Sequence, residues 1–272
     1  MLKSIFKSIK LIRPLLRSPD FEKALQGIGI APERMINPLL SCLFETDEMI
    51  RWRAVRAVGM TVAAMAERDL EAARTIMRRL IWSLNDESGG IGWGAPEAMG
   101  EIMARNETLA CEYYRILVSY IDENGNPLEN DELERGVMWG IDRLAQIRPG
   151  LLRECTGPLV AQLNSSDPVK RGLALRGLLF LAPSRSNSAK QDTDVQGLET
   201  ADRAGQGRAL DPVGPCAFPG GLELDRLMAL LATLIEDRSQ IRVFQDDRFV
   251  EHKIGSLASE LLDRLRSSIE AG

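Results

Sequence analysis

Apolar residues recur at steps of three and four along most of this chain, with short polar turns between the runs. The segment Thr46–Ala63 opens on polar residues. It then places Ala54, Val55, Ala57, Val58 and Thr61 on one face of a helix. The pattern returns 41 residues later, where WRAVRAVG (Trp52–Gly59) aligns with WGAPEAMG (Trp93–Gly100). A third copy lies in LERGVMWGIDRLAQI (Leu133–Ile147). Its register is open: Trp139–Gly140 aligns with Trp93–Gly94, or Gly140 aligns with Ala98. A fourth copy, Ser166–Ala182, matches Asp47, Ala54 and Arg56 with Asp167, Ala174 and Arg176 at a spacing of 120.

A second amphipathic run precedes each copy: PERMINPLLSCLF, AARTIMRRLIWSL, LACEYYRILVSYI and LLRECTGPLVAQL. The unit is therefore helix–turn–helix. One such pair cannot bury its apolar face alone, so the pairs must stack. The spacing predicts an all-α, right-handed solenoid of about five helix pairs. In IRVFQDDRFVEHKI, Ile241, Val243 and Phe244 face Phe249, Val250 and Ile254 across Asp246–Asp247–Arg248. That alternation predicts a small β-hairpin near the C-terminus, with a closing helix over 256–269.

The motif D-x-x-(V/I)-(R/K)-x-x-A opens the second helix of a pair, through Asp47, Ile50, Arg51, Ala54, Ala57 and Gly59, and again, with the middle pair one position nearer the Asp, through Asp167, Val169, Lys170 and Ala174. In this the chain resembles HEAT-like repeat proteins, and among them the bacterial phycobilisome-lyase type. The resemblance covers residues 30–182 and resumes over 222–270. It implies an α-solenoid, and through the lyase type an accessory factor for cofactor attachment to a partner protein. Repeat two departs from the motif, with an expanded turn and Pro96 at a helical position.

Three segments follow: an N-terminal cap with repeats over 1–182, a flexible insertion over 183–221, and a C-terminal helix pair with the hairpin over 222–272. The insertion holds few large apolar residues and no period. The basic N-terminus (Lys3, Lys7, Lys10, Arg13, Arg17) carries Ile5, Ile9, Ile12 and Leu16 on one face, which suits a cap over the first repeat.

Composition narrows the chemistry. The 34 basic and 39 acidic residues give a formal charge of −5, which disfavours a uniformly cationic nucleic-acid groove. His252 is the one histidine, and the chain has no His-Glu dipeptide, so the metal site of HEAT-like hydroxylases has no counterpart. The cysteines Cys42, Cys111, Cys155 and Cys216 are too scattered for a zinc cluster and read as reduced thiols. No metal, no cofactor and no catalytic residue is expected. No apolar run is long enough to span a membrane, and the reading is a cytoplasmic protein.

Two binding features remain. Trp52, Arg53, Arg56, Trp93, Glu97, Trp139 and Arg143 fall on or beside the inner helices, and Trp and Arg are the commonest interface anchors. Equivalent tryptophans would line one ridge. The alternation of Arg56, Glu97 and Arg176 describes a mixed-charge face suited to a protein partner. The run Gly89, Gly90, Gly92, Gly94 before a helix start is a second candidate, as a loop that approaches a ligand closely. The functional expectation is a non-enzymatic scaffold that binds a protein through its concave face. The alternatives are a lyase-type accessory factor and a weak nucleic-acid binder.

Overall fold

The computed structural model describes residues 11–84, 92–183 and 222–270. Residues 11–16 are helical and bury Ile12 and Leu16. The short α1 (Phe21–Gly27) follows. Five helix pairs come next: α2 (Pro32–Cys42) with α3 (Glu48–Ala66), and α4 (Leu70–Leu84) with α5 (Ala95–Arg105). The third is α6 (Glu107–Ser119) with α7 (Asp131–Ile147). In the fourth pair the outer arm is broken into α8 (Pro149–Leu152), a 3-10 turn (Arg153–Cys155) and α9 (Thr156–Gln162), and its inner helix is α10 (Pro168–Leu181). The fifth is α11 (Leu222–Leu234) with α12 (Ile254–Glu270), interrupted by strands β1 (Gln240–Gln245) and β2 (Arg248–Lys253).

The inner helices α3, α5, α7, α10 and α12 pack in sequence order, and each also packs against its own outer partner. This is the expected all-α solenoid with a terminal hairpin. The core is continuous along the stack. Two inner helices, α3 and α10, are buried on more than half of their residues and show little amphipathicity, being rich in Ala, Val, Leu and Gly; α5, α7 and α12 keep a clear polar face. Close approach sets the pitch. A Cβ on Gly100 would lie 2.3 Å from the Cα of Gly140, so α5 and α7 touch backbone to backbone.

Caps fix the registers. Asp47 accepts from the Ile50 N–H, Asn130 from Glu132 and Leu133, and Asp167 from Val169. Counted from these caps, Arg56, Trp139 and Arg176 occupy the same position in α3, α7 and α10. The third repeat therefore aligns Gly140 with Ala98. Trp139 is not the equivalent of Trp52, and the three tryptophans do not begin successive inner helices.

Two boundaries differ from the sequence reading. The run 151–163 is not one helix. Pro158 lacks an N–H and its ring would clash with the Glu154 carbonyl, so the helix breaks ahead of it. The last helix begins at Ile254 and not at 256, because β2 runs directly into it. The hairpin turn is tighter than expected, two residues with Gln245 opposite Arg248. Asp246 (φ 50°) and Asp247 (φ 62°) are both left-handed there, a conformation that Asp tolerates better than most residues. The expected insertion lies outside the described residues except for Pro183.

Candidate functional site

The hairpin folds back across the inner helices. The Phe244 ring stacks on Trp52 with centroids 5.3 Å apart, and Trp52 meets Trp139 at 4.7 Å. The Trp139 indole N–H donates to the Phe244 carbonyl at 3.1 Å. Aromatic contacts of this kind add to the plain burial of their area. Opposite the strand, a Cβ on Gly172 would lie 2.4 Å from Ile241 Cδ1, so glycine lets β1 settle onto α10.

Charged contacts hold the hairpin tip and both flanks. Arg53 is buried and binds Asp247 with two parallel bonds, of 2.9 and 2.8 Å. Its remaining nitrogen donates to the Leu16 and Ser18 carbonyls, which ties the N-terminal segment to the same point. Arg56 pairs with Glu22 at 2.8 Å. Arg143 pairs with Glu101 at 2.7 Å, and Arg105 binds both Glu101 and Glu22. Arg176, nearly enclosed, pairs with Asp142 at 3.1 Å and donates to Gln245. It also lies 2.7 Å from His252 Nε2. A guanidinium is always a donor, so that nitrogen carries a lone pair and the ring proton sits on Nδ1. His252 is thus half-buried against an arginine, not a freely solvated strand residue. Burial lowers its pKa, and the Arg176 charge lowers it further. Burial pushes the Asp142 carboxyl up, against the pull of Arg176 and Arg143.

The hairpin divides the face formed by the inner helices in two. On one side lies a small cleft of about 40 Å³ among Arg56, Glu101, Asp142, Arg143 and Arg176. On the other lies a cavity of about 230 Å³, formed by Trp52, Trp93, Glu97, Trp139, Phe249 and the ends of α3 and α7. At its rim Arg242 pairs with Glu48 at 2.8 Å and lies 3.6 Å over the Phe249 ring. Arg135 pairs with Asp167 at 2.6 Å and with Glu132.

Glu97 projects from the first turn of α5 against α7, where Gly136 leaves room for it: a Cβ there would lie 2.7 Å from Glu97 Oε2. That oxygen is buried and has no hydrogen-bond partner among the described residues. Burial raises the carboxyl to about 7; its own backbone N–H and the Arg51 charge pull it down and Glu132 pushes it up.

Of the site residues read from sequence, Trp52, Trp93, Glu97 and Trp139 come together in this cavity, while Arg56 and Arg143 line the opposite cleft. Arg53 is taken up in holding the hairpin tip. Gly89 and Gly90 lie outside the described residues. Gly92 packs on Ser83, and Gly94 caps α5 in a left-handed conformation (φ 75°) against Leu43. The Ala95 N–H at that helix start already donates to the Gly92 carbonyl at 3.0 Å. Sequence reasoning placed Arg176 on this face and missed Asp142 and the hairpin residues Phe244 and Asp247 as parts of it. The pairing of Arg176 with Arg56 in the repeat alignment was the signal that placed it there. Among the described residues no group of His, Cys, Asp and Glu is arranged to hold a metal, and no helix is long and apolar enough to cross a membrane.

No protein-family description matches the chain. An uncharacterized protein of Archaeoglobus fulgidus is 34% identical over 110 residues, which is 40% of this chain and 53% of that protein. The match thus spans about half the length of that relative. Among solved structures, an engineered protein superposes with a TM-score of 0.51 at 14% identity, covering 95% of this chain and 90% of its own. A HEAT-like repeats protein from Thermococcus onnurineus NA1 gives 0.37 at 17% identity, covering 96% and 98%. The neighbours do not carry the phycobilisome-lyase type. The stacked pairs and the engineered neighbour show the fold: the chain is an all-α solenoid of helix pairs with a small hairpin.

Proposed function

We propose that this solenoid is a non-enzymatic scaffold that binds a protein partner on its concave face, beside the hairpin. The observation that carries this reading is the hairpin itself. The inner face already holds an extended polypeptide segment, through Trp52, Trp139 and Arg53, the residue types that dominate protein interfaces. What the hairpin leaves open is the rim around Trp93, Glu97, Arg51 and the Arg242–Glu48 pair. Both signs of charge alternate there, which favours a protein surface over a phosphate backbone. Arg53, Arg56, Arg143 and Arg176 each already hold a carboxylate, so few inner arginines are free for phosphates.

The test is affinity capture from the native host with the intact chain and with a Trp93→Ala, Arg242→Glu double variant. Both changes sit at the rim and leave the buried pairs intact. A stoichiometric protein held by the intact chain and lost by the folded variant supports the reading. A partner held equally by both places the interface elsewhere.

A further inference from the structure

The cavity beside the hairpin combines aromatic walls with a buried acceptor of the kind that stable interiors avoid. Its walls are aromatic, from Trp52, Trp93, Trp139 and Phe249. Its floor holds the Glu97 carboxyl, with a buried oxygen that no described residue satisfies. Leaving a buried acceptor unmade costs free energy that a well-packed apolar group would not. The other rim acids are already engaged, Glu48 by Arg242 and Glu132 by Arg135. Arg51 makes no ion pair with Glu97; its guanidinium carbon sits 5.9 Å over the Trp52 ring. Among the described residues, Glu97 is therefore the one carboxyl of the cavity without an ion-pair partner.

We propose that this cavity binds an organic ammonium group, with the Glu97 carboxylate as counter-ion and the indole rings around the cation. Cations prefer indole faces to other aromatic faces, and the preference grows when water is excluded. A charged donor is also the partner that a buried carboxylate satisfies best. The cavity, about 230 Å³, suits an amine head with a short alkyl stem. A small free amine and a partner's lysine side chain share this chemistry. The inference goes beyond the scaffold reading and does not need it, since a small amine can be tested alone.

Binding is linked to protons. The charged groups that face Glu97 are Arg51 from α3 and Glu132 from α7, with Arg135, Glu48 and Arg242 at the rim. With its carboxyl raised to about 7, the empty site is partly protonated at neutral pH. An entering cation displaces that proton. Affinity then falls about tenfold per pH unit below the Glu97 pKa and levels off above it.

The probes are n-butylammonium and Nα-acetyl-lysine N-methylamide, each against its neutral counterpart, n-butanol and Nα-acetyl-norleucine N-methylamide. Tryptophan fluorescence of the full chain reads the titration at pH 8 and pH 6. At least one amine should saturate the signal, with its neutral counterpart at least about tenfold weaker. Glu97→Gln should fold with a melting temperature no lower than the parent's and lose affinity at least about tenfold. Arg51→Ala should tighten amine binding by removing a like charge. Equal binding of the two amines identifies the ammonium head as the whole ligand; tighter binding of the lysine derivative identifies a side chain presented on a backbone. The proposal is overturned if neither amine saturates below about 10 mM, if the neutral probes match the cations, or if Glu97→Gln binds as the parent does. Failure of the intact chain to capture any protein, with amine binding kept, would remove the scaffold reading and leave this one standing.

Discussion

The two sides of the hairpin are built from the same helices and differ in how they treat charge. On the Arg176 side, Arg56, Arg105, Arg143 and Arg176 are matched by Glu22, Glu101 and Asp142; Asp142 keeps one buried oxygen without a hydrogen-bond partner but is ion-paired through the other, and the space left is about 40 Å³. On the Glu97 side a carboxyl stays unmatched beside indole rings, and the space is about 230 Å³. Matched charge in a tight cleft is a structural device. Unmatched charge in a roomy cavity has a stability cost that packing does not explain, which makes that side the place to look for a ligand.

The largest effect should come from breaking the matched side. Arg176→Ala removes the partner of a carboxyl that is almost fully enclosed, and takes away the contacts to Gln245 and His252. Breaking a buried pair in this way costs about 3–5 kcal/mol. Urea unfolding should show it. A loss below about 1 kcal/mol would mean that Asp142 is already neutral in the folded chain and that the cleft is not an ion pair in substance.

The unmatched side should respond with the opposite sign. Glu97 moves from an ordinary 4.5 to about 7 on folding. The folded chain thus holds a proton that the unfolded chain has released between those values. The stability that this proton supplies is complete below 4.5 and is lost as pH rises to 7. Glu97→Gln removes the dependence. The variant should match the parent near pH 4.5 and exceed it at pH 8 by up to about 3 kcal/mol. Parallel stability curves for the two proteins from pH 4 to 8 would show that Glu97 is solvated.

A third substitution strikes the floor that both sides share. Gly100→Ala would place a methyl 2.3 Å from the Gly140 backbone, where no rotamer can relieve it. Overpacking of this kind costs about 1–3 kcal/mol. Because α5 carries both Glu97 and Glu101, it should also loosen both sides together, read as tryptophan fluorescence change in the folded baseline. An alanine accepted without loss would mean that the inner helices slide apart more easily than their backbone contact implies.

The stack was legible in the sequence because helical period and repeat spacing reinforce each other at Ala54, Ala57 and Ala98, all now buried. The hairpin was legible from alternation alone. What the sequence did not disclose was where the hairpin lies. Asp247 is 194 residues from Arg53, and neither belongs to a motif that points to the other. The tryptophan ridge failed for a related reason. Identity at Trp52, Trp93 and Trp139 suggested equivalence, but the helix caps set register: α5 begins at Ala95, after Trp93, whereas Trp52 and Trp139 lie inside α3 and α7. Glu97 was named from its place in the alternation of charge. Its burial follows from Gly136 on the next helix, a spatial relation that one sequence does not encode visibly.

The smallest effect, and the finest test of the comparison, is the pH response of His252. Its Nε2 faces the Arg176 guanidinium at 2.7 Å, so protonation would set two cations against each other. Burial and that charge hold its pKa below the ordinary 6.5. The unfolded chain therefore binds the proton more readily than the folded one, and stability falls as pH drops below 6.5 toward the folded value. This is the reverse of Glu97, which gains from acidification. His252 on the hairpin and Glu97 in the cavity beside it thus have opposite pH responses. His252→Gln keeps a hydrogen-bonding side chain and removes the titration. Comparison of its unfolding free energy with the parent from pH 7.5 to 5 should show the two curves diverging only on the acid side, with the parent the steeper. Tryptophan fluorescence should change over the same window, since Phe244 on the adjoining strand stacks on Trp52. Curves that stay parallel down to pH 5 would show that His252 turns away from Arg176 at no cost, and that Asp247 and Trp139 alone hold the hairpin down.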